Sequence, residues 1–267
     1  MNISKKQWIV VGVVIVAVIA ALSWFRYAKA PTLPNAGEPT STASSTVPTN
    51  TTASSTETAT TSNVIKQFPI NSADKIVSWT FKGAYTGNNT LVAQANADIA
   101  NLTSMFGKGT YDDYDLYLGI GNDDILLGDG AGAYKNYNHS ISIHPKKGLA
   151  YANLGHLMNE LGAYNTAADA YAKAVAVESG MLEYHIERLN YLTKQFPNNR
   201  DVIASALSDA NKAFGDNASI LVIEAKWLAG QKDYSGAIKI WELAKTLSPG
   251  KDTTAMDTEI ARLQAKL

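Results

Sequence analysis

Six aspartates crowd one stretch of the chain: Asp112, Asp113, Asp115, Asp123, Asp124 and Asp129. Clustered carboxylates are the donors a calcium ion takes, but their order does not fit D-x-[DN]-x-[DN]-G with a glutamate closing the loop. Asp112 and Asp113 suit a helix N-terminus instead, where the helix dipole favours negative charge, and Gly128-Asp129-Gly130 suits a turn between helices. The four histidines, His139, His144, His156 and His185, include no pair at the i, i+4 spacing of a helical zinc site. There is no cysteine, which removes thiolate nucleophiles, disulfides and sulfur-ligated zinc together. No G-x-S-x-G, no phosphate-binding P-loop and no dinucleotide fingerprint is present, and no serine has a positioned base. The chemistry expected is therefore binding without catalysis: no catalytic residue, no metal and no cofactor.

The elements that must position a binding surface come in three unlike stretches over 267 residues. Residues 1–30 form an N-terminal membrane anchor around WIVVGVVIVAVIAALSWF at 8–25, an uncharged run long enough for a helix to span about 27 Å. Trp8, Trp24, Phe25 and Tyr27 sit at its ends, where amphipathic rings favour the interface. A cleaved signal peptide fits less well, because the apolar core is long and Pro31 would follow the cleavage point. Residues 31–63 form a linker, and its part from 31 to 62 holds 17 Ser or Thr, four Pro, two charges and no aromatic residue. Such a segment buries too little to offset its ordering entropy, so it is expected to be disordered and to act as a stalk. The stalk places the N-terminus in the cytoplasm and the remainder outside the membrane of a single-pass protein. Basic residues flank the apolar run on both sides, so charge alone leaves the orientation open.

Without Lys5, Lys6, Arg26 and Lys29 the chain keeps 19 basic against 24 acidic residues. A mildly acidic domain matches nucleic acid poorly, and no nucleic-acid partner is expected. Residues 64–112 read as an extended arm and an N-terminal capping helix. In the arm, Ile76, Ser78 and Thr80 alternate with Val77, Trp79 and Phe81, the period of a short strand or extended segment. The helix is expected over 90–106, with Gly107 ending it.

Residues 113–251 repeat. Within GLAYANLGHLMNELGAYNTAADAYAKAVAVESGM at 148–181, Tyr151, Leu154-Gly155, Gly162, Tyr164, Ala167, Tyr171 and Ala174 fall at fixed spacing. Shifted back by 34, Tyr117, Ile120-Gly121, Gly128, Ala133, Tyr137 and Pro145 take the same places. Shifted forward by 70, Ala225, Tyr234, Ala237, Trp241, Ala244 and Pro249 do so. Residues 182–217 hold a degenerate repeat around Pro197-Asn198-Asn199. Small residues let two antiparallel helices approach, and Tyr151, Leu154, Tyr171 and Trp241 are expected to fill the space between one pair and the next. A final amphipathic stretch at 252–267, with Met256, Ile260, Leu263 and Leu267 at helical spacing, reads as a C-terminal capping helix.

This pattern resembles the tetratricopeptide repeat (TPR), as found in membrane-anchored bacterial proteins. The resemblance implies an all-α fold: a right-handed superhelix of about four helix-turn-helix repeats with a capping helix at each end. It also implies a protein or peptide partner, held in a concave groove lined by the first helix of each repeat and acting in the cell envelope. On that register the groove residues are Asn122, then Asn153, His156, Asn159 and Glu160, then His185, Arg188 and Tyr191, and finally Lys226. Ala152 and His156 stand where carboxylate-gripping arrays have Lys and Asn, which argues against a C-terminal carboxylate as ligand. Two other readings are kept: a cell-wall or glycan-binding module using Tyr111, Tyr114, Tyr117, Tyr134 and Tyr137, and a purely structural spacer.

Overall fold

The computed structural model describes residues 65–249 and 252–267; the apolar run at 8–25 and the linker at 31–62 lie outside them. Among the described residues no helix is long and apolar enough to cross a membrane. Those residues form ten α-helices: α1 (Asn89–Met105), α2 (Asp113–Leu127), α3 (Gly130–Ile143), α4 (Leu149–Glu160), α5 (Tyr164–Val177), α6 (Leu182–Gln195), α7 (Arg200–Phe214), α8 (Ala218–Gly230), α9 (Tyr234–Thr246) and α10 (Thr254–Gln264). Helices α2–α3, α4–α5, α6–α7 and α8–α9 pair as hairpins; α1 packs on α2, and α10 packs on α9.

Local chemistry sets the helix ends. Asp112 Oδ1 accepts the Tyr114 N–H at 2.9 Å to start α2, and Asp129 Oδ1 accepts the Gly132 N–H at 2.9 Å to start α3. Between them Gly128, at φ 82°, turns the chain in the left-handed region and its N–H closes α2. Its backbone lies so close to Phe81 and Gly83 that a β-carbon there would sit 2.2 Å from the Phe81 carbonyl oxygen.

Within a hairpin the helices are held apart by little more than one ring. A β-carbon on Gly155 of α4 would lie 2.9 Å from atoms of the Tyr171 ring on α5. One repeat earlier the pair is Gly121 and Tyr137, where the distance would be 2.6 Å. Tyr171 and Tyr137 are nearly fully buried and belong to one core with Tyr151, Leu154, Leu157, Ala167 and Ala174. A second cluster joins α6, α7 and α8 through Leu189, Ile203, Leu207 and Ile220. A third joins α8, α9 and α10 through Ala225, Ala237, Trp241, Ile260 and Leu263.

Helix α5 begins at Ala163 with no side chain of its own to cap it. Its cap comes from Asp74, some ninety residues earlier. One Asp74 oxygen accepts the Thr166 N–H at 2.6 Å and the Thr166 hydroxyl at 2.7 Å. The other accepts the Asn165 N–H at 3.2 Å and the Asn165 amide at 2.8 Å. Residues 65–85 run as an extended arm across α3 and the start of α5, with Phe68, Ile76, Trp79 and Phe81 partly buried against the core. Sequence alternation placed Val77 with Trp79 and Phe81, but Val77 is 90 % exposed and Ile76 packs inward in its place. The arm makes a single antiparallel bridge, Thr80 to Asp129, because it pairs with the α2–α3 turn and with side chains, not with another strand.

Two predictions follow from these contacts. Gly155→Ala forces the Tyr171 ring to move and outweighs the roughly 1 kcal/mol of helix propensity it adds, for a net loss of about 1–2 kcal/mol. Gly230→Ala, with open space around its β-carbon, is expected to stabilise by about 0.5–1 kcal/mol. Thermal unfolding of the two variants separates these signs. For Asp74, burial pushes its carboxyl up, but the hydrogen bonds from Thr166 and Asn165 outweigh it and hold the group below the ordinary carboxylate range. Its contribution is therefore present above its unfolded value and lost as acid protonates it. Asp74→Ala is expected to cost about 1–2 kcal/mol at neutral pH, and the gap from wild type should close below about pH 4 in urea titrations.

Candidate interaction surface

Helices α2, α4, α6 and α8 are the first helices of the four hairpins, and side chains link neighbours along them. Asn122 Oδ1 on α2 accepts both the Tyr137 hydroxyl and the Asn153 amide of α4, each at 2.9 Å. Asn159 Oδ1 on α4 accepts the Gln195 amide of α6 at 3.1 Å. His156 Nε2 stands 3.8 Å from Glu187 Oε2 of α6, and its ring meets Tyr171 edge-on. Between α6 and α8 an open hollow is lined by Asn190, Thr193, Lys194, Ile223, Lys226 and Trp227. The Trp227 indole and the Gln231 amide both donate to the Pro197 carbonyl at 2.9 Å, which ties α8 to the α6–α7 turn.

Asn122, Asn153, His156, Asn159, Glu160 and Lys226 thus keep partly or fully exposed positions on this row of helices. Of the expected α6 residues, His185 and Tyr191 do not, and Arg188 is half-buried. His185 is 2 % exposed, with its Nε2 3.0 Å from the Ser179 carbonyl and its ring edge-on to Phe214. Tyr191 is interior and donates its hydroxyl to the Tyr164 carbonyl at 2.8 Å. Arg188 turns towards α7 and pairs with Asp209 at 2.8 Å. The accessible side chains of α6 beside α4 and α8 are Glu187, Asn190 and Lys194. Asn190 was legible: it lies 34 residues after His156, which lies 34 after Asn122. The degenerate third repeat hid that register, because Leu189 stands where Gly121 and Gly155 mark it in the first two repeats.

The tyrosines divide differently. Tyr114, Tyr134 and Tyr137 are buried, and Tyr117 stacks on His139 at 4.5 Å and tilts against Phe106. Those rings serve the core and the α1–α2–α3 junction, so an exposed pair for stacking on sugar rings is not formed by them. Among the aspartates, Asp112 and Asp129 cap helices and Asp124 is buried against the Asn136 amide at 2.8 Å. Burial, with Asp98 of α1 and Asp124 adding repulsion, raises Asp123 to about 7. Burial, opposed by the Asn136 hydrogen bond and aided by Asp129, raises Asp124 to about 6. Among the described residues no group of three or more His, Asp or Glu is arranged to hold a metal ion.

A raised carboxyl stabilises the fold while protonated, and that contribution is fully present below the unfolded value and lost as pH rises through the folded one. Asp123→Asn should therefore match wild type near pH 4 and exceed it by about 1–2 kcal/mol at pH 8. Unfolding free energies measured across that range test the sign.

No protein-family model matches the chain, and no curated protein matches it. Among solved structures it is similar to BtubC (BKLC) from P. vanneervenii, at 14 % identity and a TM-score of 0.50, covering 67 % of this chain and 84 % of that one. It is also similar to MamA, at 18 % identity and a TM-score of 0.46 over 57 % of this chain and 81 % of that one. The TPR2AB domain of yeast Sti1, in a complex with pHSP90, shares 16 % identity with a TM-score of 0.38, covering 65 % of this chain and 79 % of that one. The likeness to BtubC shows the fold alone. The described part of the chain is an all-α array of helical hairpins, similar in fold to BtubC.

Proposed function

We propose that the chain is a membrane-tethered scaffold that holds a partner protein or peptide along the row of first helices, outside the membrane. The observation that carries the reading is the recurrence of Asn122, His156, Asn190 and Lys226 at matching places on α2, α4, α6 and α8. All four are polar and at least partly accessible, and an extended segment lying across the row could meet each in turn. Asn122 and Asn153 already spend part of their hydrogen-bonding capacity on each other, which fixes their orientation and lowers the ordering cost of binding. The tether supports the same reading from the other end of the chain. The apolar run at 8–25 has the length a bilayer span needs, and the Ser/Thr-rich composition at 31–62 is that of a stalk.

Crosslinking capture from native membranes, with the captured molecules identified, tests this. His156→Ala, Asn190→Ala and Lys226→Ala together are expected to lower capture of a defined protein partner by at least about tenfold. Lys173→Ala, on the exposed side of α5, should leave capture unchanged. Loss in both variants, loss in neither, or recovery of carbohydrate alone would overturn the assignment.

A further inference from the structure

The seams between the first helices hold two pairs of carboxamides, each already joined by one hydrogen bond. Between α2 and α4, Asn122 Oδ1 accepts the Asn153 amide at 2.9 Å; between α4 and α6, Asn159 Oδ1 accepts the Gln195 amide at 3.1 Å. Asn122 Oδ1 also accepts the Tyr137 hydroxyl at 2.9 Å, which fills that oxygen. A carboxamide carries two N–H donors and an oxygen with two lone pairs. Each pair therefore keeps in hand the donors of one member, Asn122 Nδ2 or Asn159 Nδ2, and the acceptor of the other, Asn153 Oδ1 or Gln195 Oε1. None of these four atoms has a partner among the described residues, and none is shut away from solvent. The four residues are half-buried, so packing and the existing bonds hold each donor and acceptor in place before anything binds.

A donor set beside an acceptor is the complement of a peptide main chain, which offers one C=O and one N–H per residue. Asn153 and Asn159 stand six residues apart on α4, about 9 Å along the helix. An extended chain rises about 3.3 Å per residue, so the two pairs match main-chain groups three residues apart. In a folded surface those groups are spent on internal hydrogen bonds, which leaves an extended, unpaired segment as the occupant. Neither pair is charged, so neither selects the sign of a side chain. We infer that the two seams grip the main chain of an extended polypeptide at points three residues apart, with little regard to its sequence. This rests on the first-helix row being the partner surface, and it assigns sequence choice to His156 between the pairs and to the hollow beside Asn190.

The test uses the full-length protein in detergent and an array of immobilised 12-residue peptides of one composition in shuffled order. Two further copies of the array are N-methylated, one at every second residue and one at every third. Points three residues apart have opposite parity, so in every register alternate methylation blocks one seam, whereas methylation at every third residue can slip clear of both. The inference expects the plain peptides to be retained whatever their order, alternate methylation to lower retention about fivefold, and methylation at every third residue to leave it near the plain value. Asn122→Asp with Asn159→Asp keeps the oxygens that accept Tyr137, Asn153 and Gln195 and removes only the outward donors. That variant should lose about fivefold on plain peptides with its thermal midpoint unchanged. Lys173→Ala with Lys212→Ala, on exposed positions of α5 and α7, shifts net charge equally and should lose nothing. No retention of plain peptides, equal retention under alternate methylation, or full retention by the Asp variant overturns the inference. If capture from native membranes still depends on His156, Asn190 and Lys226 in that case, the partner surface stands and only its main-chain reading falls.

Discussion

The first two hairpins can close only because one helix gives way to an aromatic ring on the other. Where Tyr171 presses on Gly155, and Tyr137 on Gly121, a single added methyl group would occupy space the ring already fills. That approach brings Leu154, Leu157, Ala167 and Ala174 to zero exposure and leaves one face of each first helix uncovered. A hairpin of this kind cannot cover its own apolar stripe, so it needs a neighbour on each side. α1 and α10 supply that neighbour at the two ends. The free row along α2, α4, α6 and α8 is thus a consequence of packing: the large side chains are drawn between the helices, and the polar ones are left outside.

The arm answers a second constraint. Backbone N–H groups at a helix start need acceptors, and Ala163 supplies none for α5. Glu178 does a related service for α4, accepting the Gly148 N–H at 2.6 Å. Both starts in the second repeat therefore depend on carboxylates from elsewhere in the fold, one from the following turn and one from the arm. This makes the arm, the first hairpin and the second hairpin parts of one structure, sharing the core around Tyr151 and Tyr171.

Much of this was legible from residues, because the packing of a repeated helical hairpin writes itself at fixed spacing. Gly155, Tyr171 and Ala167 announce a crossing point as soon as the 34-residue period is found. The third repeat was misread at His185 and Tyr191, which are buried, because it lacks the glycine and the aromatic residue that mark the register elsewhere. With those gone, a polar side chain on an amphipathic helix gives no sign of which edge it occupies; inside, His185 Nε2 and the Tyr191 hydroxyl meet backbone carbonyls, while His185 Nδ1 is buried without a partner among the described residues. The cap on α5 was not legible at all. An aspartate ninety residues upstream carries no local signal, and Asp74 looks like any loop residue until the arm is laid across α5. The shift that turns Val77 outward has the same origin: the arm follows the surface of α2, α3 and α5, not the period of a sheet.

The central claim is that the arm and the first two hairpins form one cooperative body while the first-helix row stays free. Hydrogen exchange on the full-length chain, resolved at single amides, tests it most directly. The account predicts that the Asn165 and Thr166 amides, bonded to Asp74, and the Phe81 and Tyr85 amides, bonded to Gly128 and Leu126, exchange with the slow class of α4 and lose protection together with it as urea is raised. Fast exchange at those four amides beside a protected α4 would contradict it, and would show the arm to be an open terminus lying on an array that stands without it.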